Sequence, residues 1–193
     1  MKDFDWSNVP LPDMDAPFPT DKTIDEGWLS VAYAIAECSK DPSSQNGAVL
    51  LTVDEPAVGN LGFNHFYEGV PTNFDDRTKK LQGIEHAERD AIYTTAKNGG
   101  KTEGATLVCP WVACRDCARA ILGTGIARVV CHSARMDLTD ERWRADIEEA
   151  LGWLVSAGVI VDYHDGPIAG APDILVSGRL WSPADLCFRK FGE

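Results

Sequence analysis

The stretch that decides the fold runs from Ile84 to Cys117 and reads IEHAERDAIYTTAKNGGKTEGATLVCPWVACRDC. Its first part, 84–97, predicts a helix that ends at an Asn-Gly-Gly sequence. The apolar run 105–109 predicts a short strand, and 114–122 predicts a second helix. Because two helices that flank one strand can begin at the same edge of a sheet, we expect their first turns to lie close together.

These first turns carry residues that bind metals. His86 lies near the start of the first helix, and Cys114 and Cys117 share one face at the start of the second. An imidazole and two thiolates are good zinc ligands, and a helix N-terminus favours the thiolate over the thiol. Three protein ligands leave one position open for water, which is typical of a catalytic zinc site. Glu88 is then placed to move a proton rather than to bind the metal.

Other interpretations of these residues are simpler. The histidine and the two cysteines could be buried core residues, and an isolated C-x-x-C pair could be redox-active. A structural zinc site could also form if His65 or His132 supplied a fourth ligand. The combination of His-x-Glu with C-x-x-C, in this order on two helix starts, favours the catalytic interpretation.

The rest of the chain predicts an αββαβαβαβ order, and therefore a mixed, partly parallel sheet covered by helices. The remaining predicted helices cover 23–39, with Thr23 as N-cap and Glu26 completing a capping box, and 139–157, capped by Thr139 or Asp140. The remaining predicted strands cover 48–53, 57–63, 127–131 and 159–163. A turn at 54–56 joins the first two of these strands, and 64–82 is predicted to be a loop.

Three regions follow from this pattern. Residues 1–22 are rich in Pro and Asp and predict an extended arm. Residues 23–164 form the predicted domain that carries the catalytic zinc site. Residues 165–193 predict a tail that packs on this domain or on a neighbouring subunit.

Composition narrows the class of protein. The chain has 193 residues, of which 44% are hydrophobic, so one globular domain with a substantial core is expected. No apolar run is long enough to cross a membrane and the N-terminus lacks a secretory signal, so we expect a cytoplasmic protein. A formal net charge of −12 argues against strong nucleic-acid binding, but it does not exclude a nucleotide in a local cationic pocket.

Several short segments resemble one known family. They are Ser39-Lys40-Asp41-Pro42, Gly47-Ala48-Val49, Gly62-Phe63-Asn64, Gly69-Val70, His86-Ala87-Glu88-Arg89-Asp90-Ala91-Ile92, Thr106-Leu107 and Cys117-Ala118. Over roughly residues 28–163, the chain is similar to the cytidine and deoxycytidylate deaminase superfamily, and most similar to its deoxycytidylate (dCMP) deaminases. The resemblance implies an α/β fold, a three-layer α/β/α cytidine deaminase-like arrangement around a mixed, roughly five-stranded sheet.

The resemblance also implies roles for residues. His86, Cys114 and Cys117 would hold one zinc ion per subunit, and Glu88 would shuttle protons. Asn64 would bind the sugar, and the backbone of Ala87 would contact the base. The implied reaction is hydroxide attack on carbon 4 of cytosine and loss of ammonia to give uracil. Family members usually assemble, so a homo-oligomer is expected.

The chain departs from the family pattern in three places. Ala113 stands where the family usually has Pro before the first cysteine, so the loop that precedes it is expected to differ in shape. Trp111 in that loop could form a base-stacking wall or simply pack in the core. Asp90 stands where the family has Asn. The insertion that carries a second zinc in some phage members is not recognisable, so regulation by dCTP and dTTP is not carried over.

A substrate phosphate needs cations. The candidates are Arg77, Lys79 and Lys80 before the first metal-site helix, Lys97 at the end of that helix, and Arg115 between the cysteines. Each could instead be a solvated surface charge. Structural roles or subunit contacts are expected for Arg128, Arg142 and Arg144.

The leading hypothesis is zinc-dependent deamination of dCMP to dUMP and ammonia. One alternative is a superfamily deaminase that acts on another cytosine nucleotide, nucleoside or base. A second alternative is a catalytically silent protein that binds zinc and nucleotides.

Overall fold

A computed structural model describes residues 22–53 and 58–190 of the chain. The arm predicted over 1–22 therefore lies outside the described residues, apart from Lys22, and so does the whole predicted turn at 54–56. Among the described residues, none of the helices combines the length and the apolar character needed to cross a membrane.

The central element is a five-stranded mixed sheet, as predicted. Its strands are β1 (Gly47–Leu51), β2 (Val58–Phe63), β3 (Thr106–Val108), β4 (Arg128–His132) and β5 (Ile160–His164). Their spatial order is β2-β1-β3-β4-β5. Strand β1 runs antiparallel to both of its neighbours, whereas β3, β4 and β5 are parallel. The α/β fold class is confirmed.

The helices are α1 (Lys22–Ala36), α2 (Arg77–Gly83), α3 (Ala87–Lys97), α4 (Arg115–Gly123), α5 (Ser133–Asp137) and α6 (Glu141–Ser156). A second, three-stranded antiparallel sheet follows, made of β6 (Ile174–Val176), β7 (Arg179–Ser182) and β8 (Cys187–Phe188). The sequence analysis predicted neither α2, nor α5, nor this second sheet.

Strand alternation sends side chains to two separate cores. In β1, Ala48 and Leu50 pack in a cluster with α3, α4 and α6, whereas Val49 packs with α1 and the second sheet. The helices on both faces lie very close to the strands of the sheet. A Cβ atom on Gly47 would lie 2.1 Å from the Ala32 carbonyl oxygen of α1, and one on Gly62 would lie 2.3 Å from the Ala87 carbonyl oxygen of α3. Only glycine allows this packing on both faces.

Two local predictions need correction. Helix α1 begins at Lys22, so Thr23 lies inside the helix rather than at its N-cap. The predicted loop 64–82 contains α2, because the Asp76 side chain accepts hydrogen bonds from the backbone N–H groups of Thr78 and Lys79. An Asp followed by a short helix-forming run was the available signal in the sequence.

The second sheet packs against α1 through buried apolar residues, including Ile168, Ile174 and Trp181. His132, at the end of β4, is buried beside it. Its Nε2 donates to the Gly166 carbonyl at 2.7 Å, and the Tyr33 hydroxyl donates to its Nδ1 at 2.7 Å. This arrangement requires the neutral ring, because both nitrogens would carry protons in the cation.

Burial lowers the pKa of His132 to about 4 from the ordinary 6.5; nearby His164 also lowers it, and the Gly166 carbonyl opposes the shift. The unfolded chain binds the proton more tightly than the folded protein does. The contribution of neutral His132 to the unfolding free energy is therefore fully present above pH 6.5 and is lost as the pH falls towards 4. Between pH 7.5 and pH 5, we expect the wild type to lose about 2 kcal/mol more unfolding free energy than His132→Gln. Urea unfolding of both proteins at the two pH values measures this difference. Equal losses in the two proteins would contradict the assignment.

Candidate active site

The ends of two helices bring the predicted metal ligands together. His86 is the N-cap of α3 and Cys114 is the N-cap of α4, and both have extended backbone conformations (φ −91°, ψ 151° and φ −71°, ψ 166°). Cys117 follows in the first turn of α4, where it is fully buried. The helices begin one to three residues later than predicted, because these ligands lie at the caps.

The three side chains form a compact triangle. The Sγ atoms of Cys114 and Cys117 lie 3.4 Å apart, and the His86 Nδ1 atom lies 3.5 Å and 3.6 Å from them. Zinc bonds of about 2.3 Å to sulfur and about 2.0–2.1 Å to nitrogen give tetrahedral edges of roughly 3.5–3.8 Å. The donor types and their spacing therefore fit a zinc ion held by three ligands. Among the described residues, these three are the ones grouped closely enough to share a metal.

Hydrogen bonds and nearby charges favour the thiolate form of Cys114, which is the form that binds a cation. A hydrogen bond from Cys117 lowers the pKa of Cys114 to about 4, against the opposing effect of burial, and His86 lowers it further. Burial raises the pKa of Cys117 well above its usual range. Arg89 reaches this thiol, with Nη1 3.6 Å from Sγ. Of the two thiols, Cys114 is therefore the one that ionises more readily.

Glu88 lies beside the triangle but outside it. It belongs to the first turn of α3 and is only 2% exposed. Burial raises the pKa of its carboxyl group, against the opposing effect of His86. Glu88 and two residues of the triangle, His86 and Cys114, line one cavity.

This cavity has a volume of about 260 Å³. Its apolar lining residues include Trp111, Val112, Trp143 and Ile147. Its polar lining residues include Asp41, Ser44, Asn46 and Asn64. The end of the 64–76 loop and α2 contribute Phe74, Asp75, Arg77, Lys80 and Leu81 to the lining. A small polar ligand with a flat ring suits such a lining.

The structure separates the predicted substrate-binding residues into two groups. Asn64, Ala87, Trp111, Arg77 and Lys80 all line the cavity. Lys97 and Arg115 do not.

The positions of Lys97 and Arg115 outside the cavity each have a physical reason. Lys97 is at the far end of α3, about 16 Å along the helix from its start. Arg115 turns towards α6, where it pairs with Asp146 and with Glu149, at 2.9 Å from the latter. Arg142, for which a structural role or a subunit contact was expected, also lies in the cavity lining.

Lys80 is already neutralised within the protein. Its Nζ lies 2.6 Å from the Asp41 carboxylate, and Asp41 is 3% exposed. The same carboxylate also accepts from the backbone of Ser43 and from Asn64 Nδ2. The Lys80–Asp41 ion pair therefore ties α2 to the polar side of the cavity and leaves little net charge for a ligand.

His65 and His132 do not join the metal triangle. His65 Nε2 lies 3.2 Å from Asp90, and its Nδ1 lies 3.0 Å from the Phe66 carbonyl. Asp90 also accepts from the backbone N–H of Phe63, so it links α3 to the end of β2. This link gives the Asn-to-Asp departure a structural role. His132 faces α1, on the other side of the sheet.

Trp111 both packs and lines the cavity, so its two predicted roles are compatible. Its Nε1 donates to Thr139 Oγ1 at 3.0 Å, and its ring meets Trp143 edge-on at 6.3 Å. The guanidinium of buried Arg135 lies 4.5 Å from the ring centre. These contacts fix the loop before Cys114 without the proline that the family has at residue 113.

Comparison with known proteins agrees with this geometry. Residues 22–133, more than half of the chain, match the cytidine and deoxycytidylate deaminase zinc-binding region. The chain belongs to this family. Mouse deoxycytidylate deaminase is 31% identical over 128 residues, which cover 60% of this chain and 68% of the mouse protein. An uncharacterized deaminase from the luxG 3′ region of Aliivibrio fischeri is 29% identical over 138 residues, or 70% of this chain and 90% of that one.

A solved structure confirms the deaminase fold. The dCMP deaminase of cyanophage S-TIM5, crystallised with dCMP and dUMP, superposes with a TM-score of 0.62 at 22% identity. The match covers 77% of this chain and 99% of the phage chain. Family membership makes the chain a hydrolase of the class that acts on carbon–nitrogen bonds in cyclic amidines.

Proposed function

We propose that the chain is a zinc-dependent deaminase that converts dCMP to dUMP and ammonia. The observation that carries this proposal is that a buried carboxyl group, which is not part of the triangle, lines the same cavity as His86 and Cys114 of the triangle. A structural zinc site closes with four protein ligands and needs no such carboxyl group. The dCMP deaminases among the relatives support the choice of substrate.

His86, Cys114 and Cys117 would hold the ion. When bound, zinc supplies Lewis-acid activation and lowers the pKa of a water molecule to roughly 7. Three protein ligands would leave a coordination position for water, and Glu88 lines the same cavity as His86 and Cys114.

Glu88 would move the protons of the reaction. It takes one from the attacking water and later delivers one to the departing amine. Its burial suits this role, because burial raises the pKa of the carboxyl group and so makes the carboxylate a stronger base.

The backbone at the start of α3 would orient the base. The first hydrogen bond of this helix runs from Asp90 N–H to the His86 carbonyl, so the N–H of Ala87 has no acceptor within the helix. Ala87 lines the cavity, where this N–H can donate to the carbonyl oxygen of a cytosine ring. Trp111 would contact the ring from the apolar wall.

Arg77 and Arg142 would bind the phosphate. Both line the cavity, and Arg77 has no ion pair among the described residues. Arg142 is half-exposed, with a loose 3.4 Å contact to Asp140. Lys80 contributes less, because Asp41 neutralises it.

The two alternatives differ in what they require. A deaminase of free nucleosides gains nothing from cations at the cavity, so Arg77 and Arg142 favour a nucleotide. A silent binding protein has no use for a buried carboxyl group next to its metal, so Glu88 favours an enzyme. Assembly into a homo-oligomer stays a prediction.

Replacing Arg142 separates a nucleotide enzyme from a nucleoside enzyme. For Arg142→Gln we expect kcat/KM with dCMP to fall about tenfold, since one charge-assisted hydrogen bond to phosphate is lost. Activity with deoxycytidine, which has no phosphate, should be low and unchanged. Loss of cytosine absorbance with dCMP, CMP, dCTP and deoxycytidine measures both effects. Arg119→Gln, in an exposed pair with Asp116, is the matched control. A wild type that deaminates deoxycytidine as well as dCMP would refute the proposed substrate.

Glu88→Gln tests the proton-transfer role. We expect kcat to fall by about 10²- to 10⁴-fold, because the amide can neither take nor return a proton. Zinc content should stay at the wild-type level, since Glu88 is not a ligand. Ammonia release and metal analysis are the measurements, with the exposed Glu148→Gln as control. Substantial activity in Glu88→Gln would rule out the mechanism.

A further inference from the structure

The β6–β7 hairpin (174–182) lies against residues 43–45, the 43–45 loop, in the segment that leads from α1 to β1. Its strands pair up to Val176 and Arg179, so Ser177 and Gly178 form a two-residue turn. Both have positive φ angles, 51° and 75°, as a type I′ turn requires. A serine rarely adopts this conformation, so the surroundings must hold the turn in place. The hairpin lies beyond residue 133, where the similarity to the zinc-binding region ends.

Two hydrogen bonds run from this turn to the 43–45 loop. Gly178 N–H donates to the Ser43 carbonyl at 2.7 Å. Ser177 N–H donates to the Ser44 hydroxyl oxygen at 3.3 Å. Ser43 and Ser44 both line the cavity, so the turn is bonded directly to residues of the cavity wall.

Gln45 makes a second connection between the 43–45 loop and the hairpin. Its backbone N–H donates to the Leu175 carbonyl, and its Oε1 accepts from Leu175 N–H, both at 2.9 Å. Leu175 belongs to β6, an edge strand of the second sheet, so Gln45 satisfies backbone groups that an edge strand otherwise leaves unpaired. Gln45 Nε2 also donates to the Ser39 carbonyl at 2.9 Å. Gln45 itself is not one of the cavity-lining residues, so its side chain serves these contacts.

The 43–45 loop is also connected to α2. Asp41 accepts hydrogen bonds from the backbone N–H groups of Ser43 and Ser44, at 2.8 Å and 3.2 Å. Its carboxylate also pairs with Lys80 of α2. Helix α2 buries none of its own residues, so contacts of this kind determine where it lies. Arg77, which the proposed function assigns to the phosphate, begins this helix. Bonded contacts therefore run from the hairpin to the helix that carries this side chain.

We propose that the β6–β7 hairpin is a positioning element of the active site, which sets the place of the cavity wall and of α2 by holding the 43–45 loop. This inference rests on the proposed function. The metal triangle depends on other contacts, because α3 is packed on the main sheet at Gly62. A displaced 43–45 loop therefore weakens nucleotide binding and leaves the chemical step intact. Gln45 is a positioning residue, since it acts on the substrate only through its neighbours.

The first test removes the Gln45 contacts without changing the cavity lining. The side chain in Gln45→Met has a similar length but can neither accept from Leu175 nor donate to Ser39. Ammonia release at varied dCMP concentrations is expected to give a KM about fivefold above that of the wild type, because the 43–45 loop loses two hydrogen bonds. The kcat is expected to stay within about twofold of the wild type. Partial unfolding would lower kcat and leave KM unchanged, so the two effects are separable.

The second test changes the hairpin itself and has a matched control. Gly178→Ala introduces backbone strain at φ 75°, where a Cβ atom would meet open space. Gly170→Ala does the same at φ 72°, before the hairpin begins. Both variants are expected to have lower melting temperatures than the wild type. Only Gly178→Ala is expected to raise the KM for dCMP, by about threefold, because its bond to the Ser43 carbonyl weakens.

The possible failures are distinguishable. A wild-type KM in either Gln45→Met or Gly178→Ala, or an equal rise of KM in Gly170→Ala, would show that the hairpin only stabilises the fold. The positioning role would then be overturned, and the proposed function would stand. If the wild type does not deaminate dCMP at all, the proposed function fails and takes this inference with it.

Discussion

The close contact between α3 and β2 determines the geometry of the site. At Gly62 the strand has no side chain, so the Ala87 carbonyl and the Ala91 N–H of α3 lie directly on the sheet. A Cβ atom there would be 2.4 Å from the Ala91 nitrogen, which is too close for any other residue. The contact sets the height of the first turn of α3 above the sheet. That turn begins at His86 and contains Glu88, so one backbone contact positions the proposed metal ligand and the proposed proton carrier together.

The second half of the site depends on the parallel part of the sheet. Strand β3 leads into the loop that ends at Cys114, and Trp111 anchors this loop through Thr139. Helix α4 then begins beside α3. The metal triangle thus forms where two helix N-termini meet at one sheet edge, and helix dipoles at that point favour anionic ligands such as thiolates.

The features that were predicted correctly from the sequence are those that depend on residues close together in the chain. Ligand identity, the C-x-x-C spacing and helix starts are local properties, and the metal triangle followed from them. The mixed sheet also followed from the alternation of apolar runs. Helix α2 was missed although Asp76 is a clear cap, because the surrounding segment is polar and lacks apolar periodicity. The second sheet was missed because its strands are two to four residues long.

The sequence could not predict which Lys and Arg side chains are available to bind a substrate, because this depends on the carboxylates that each one meets in the fold. Lys80 meets a buried Asp41 that lies 39 positions earlier in the chain, and Arg115 meets Asp146 from α6. Arg142 reaches the cavity only because α6 packs beside α4.

The central claim is that one zinc ion, held by His86, Cys114 and Cys117, is required for deamination. Its most direct test is to measure zinc per chain and ammonia release from dCMP before chelation, after chelation, and after zinc is returned. The account predicts about one zinc per chain at the start, loss of activity together with the metal, and recovery of both. Full deamination by a chain shown to be free of metal would contradict it.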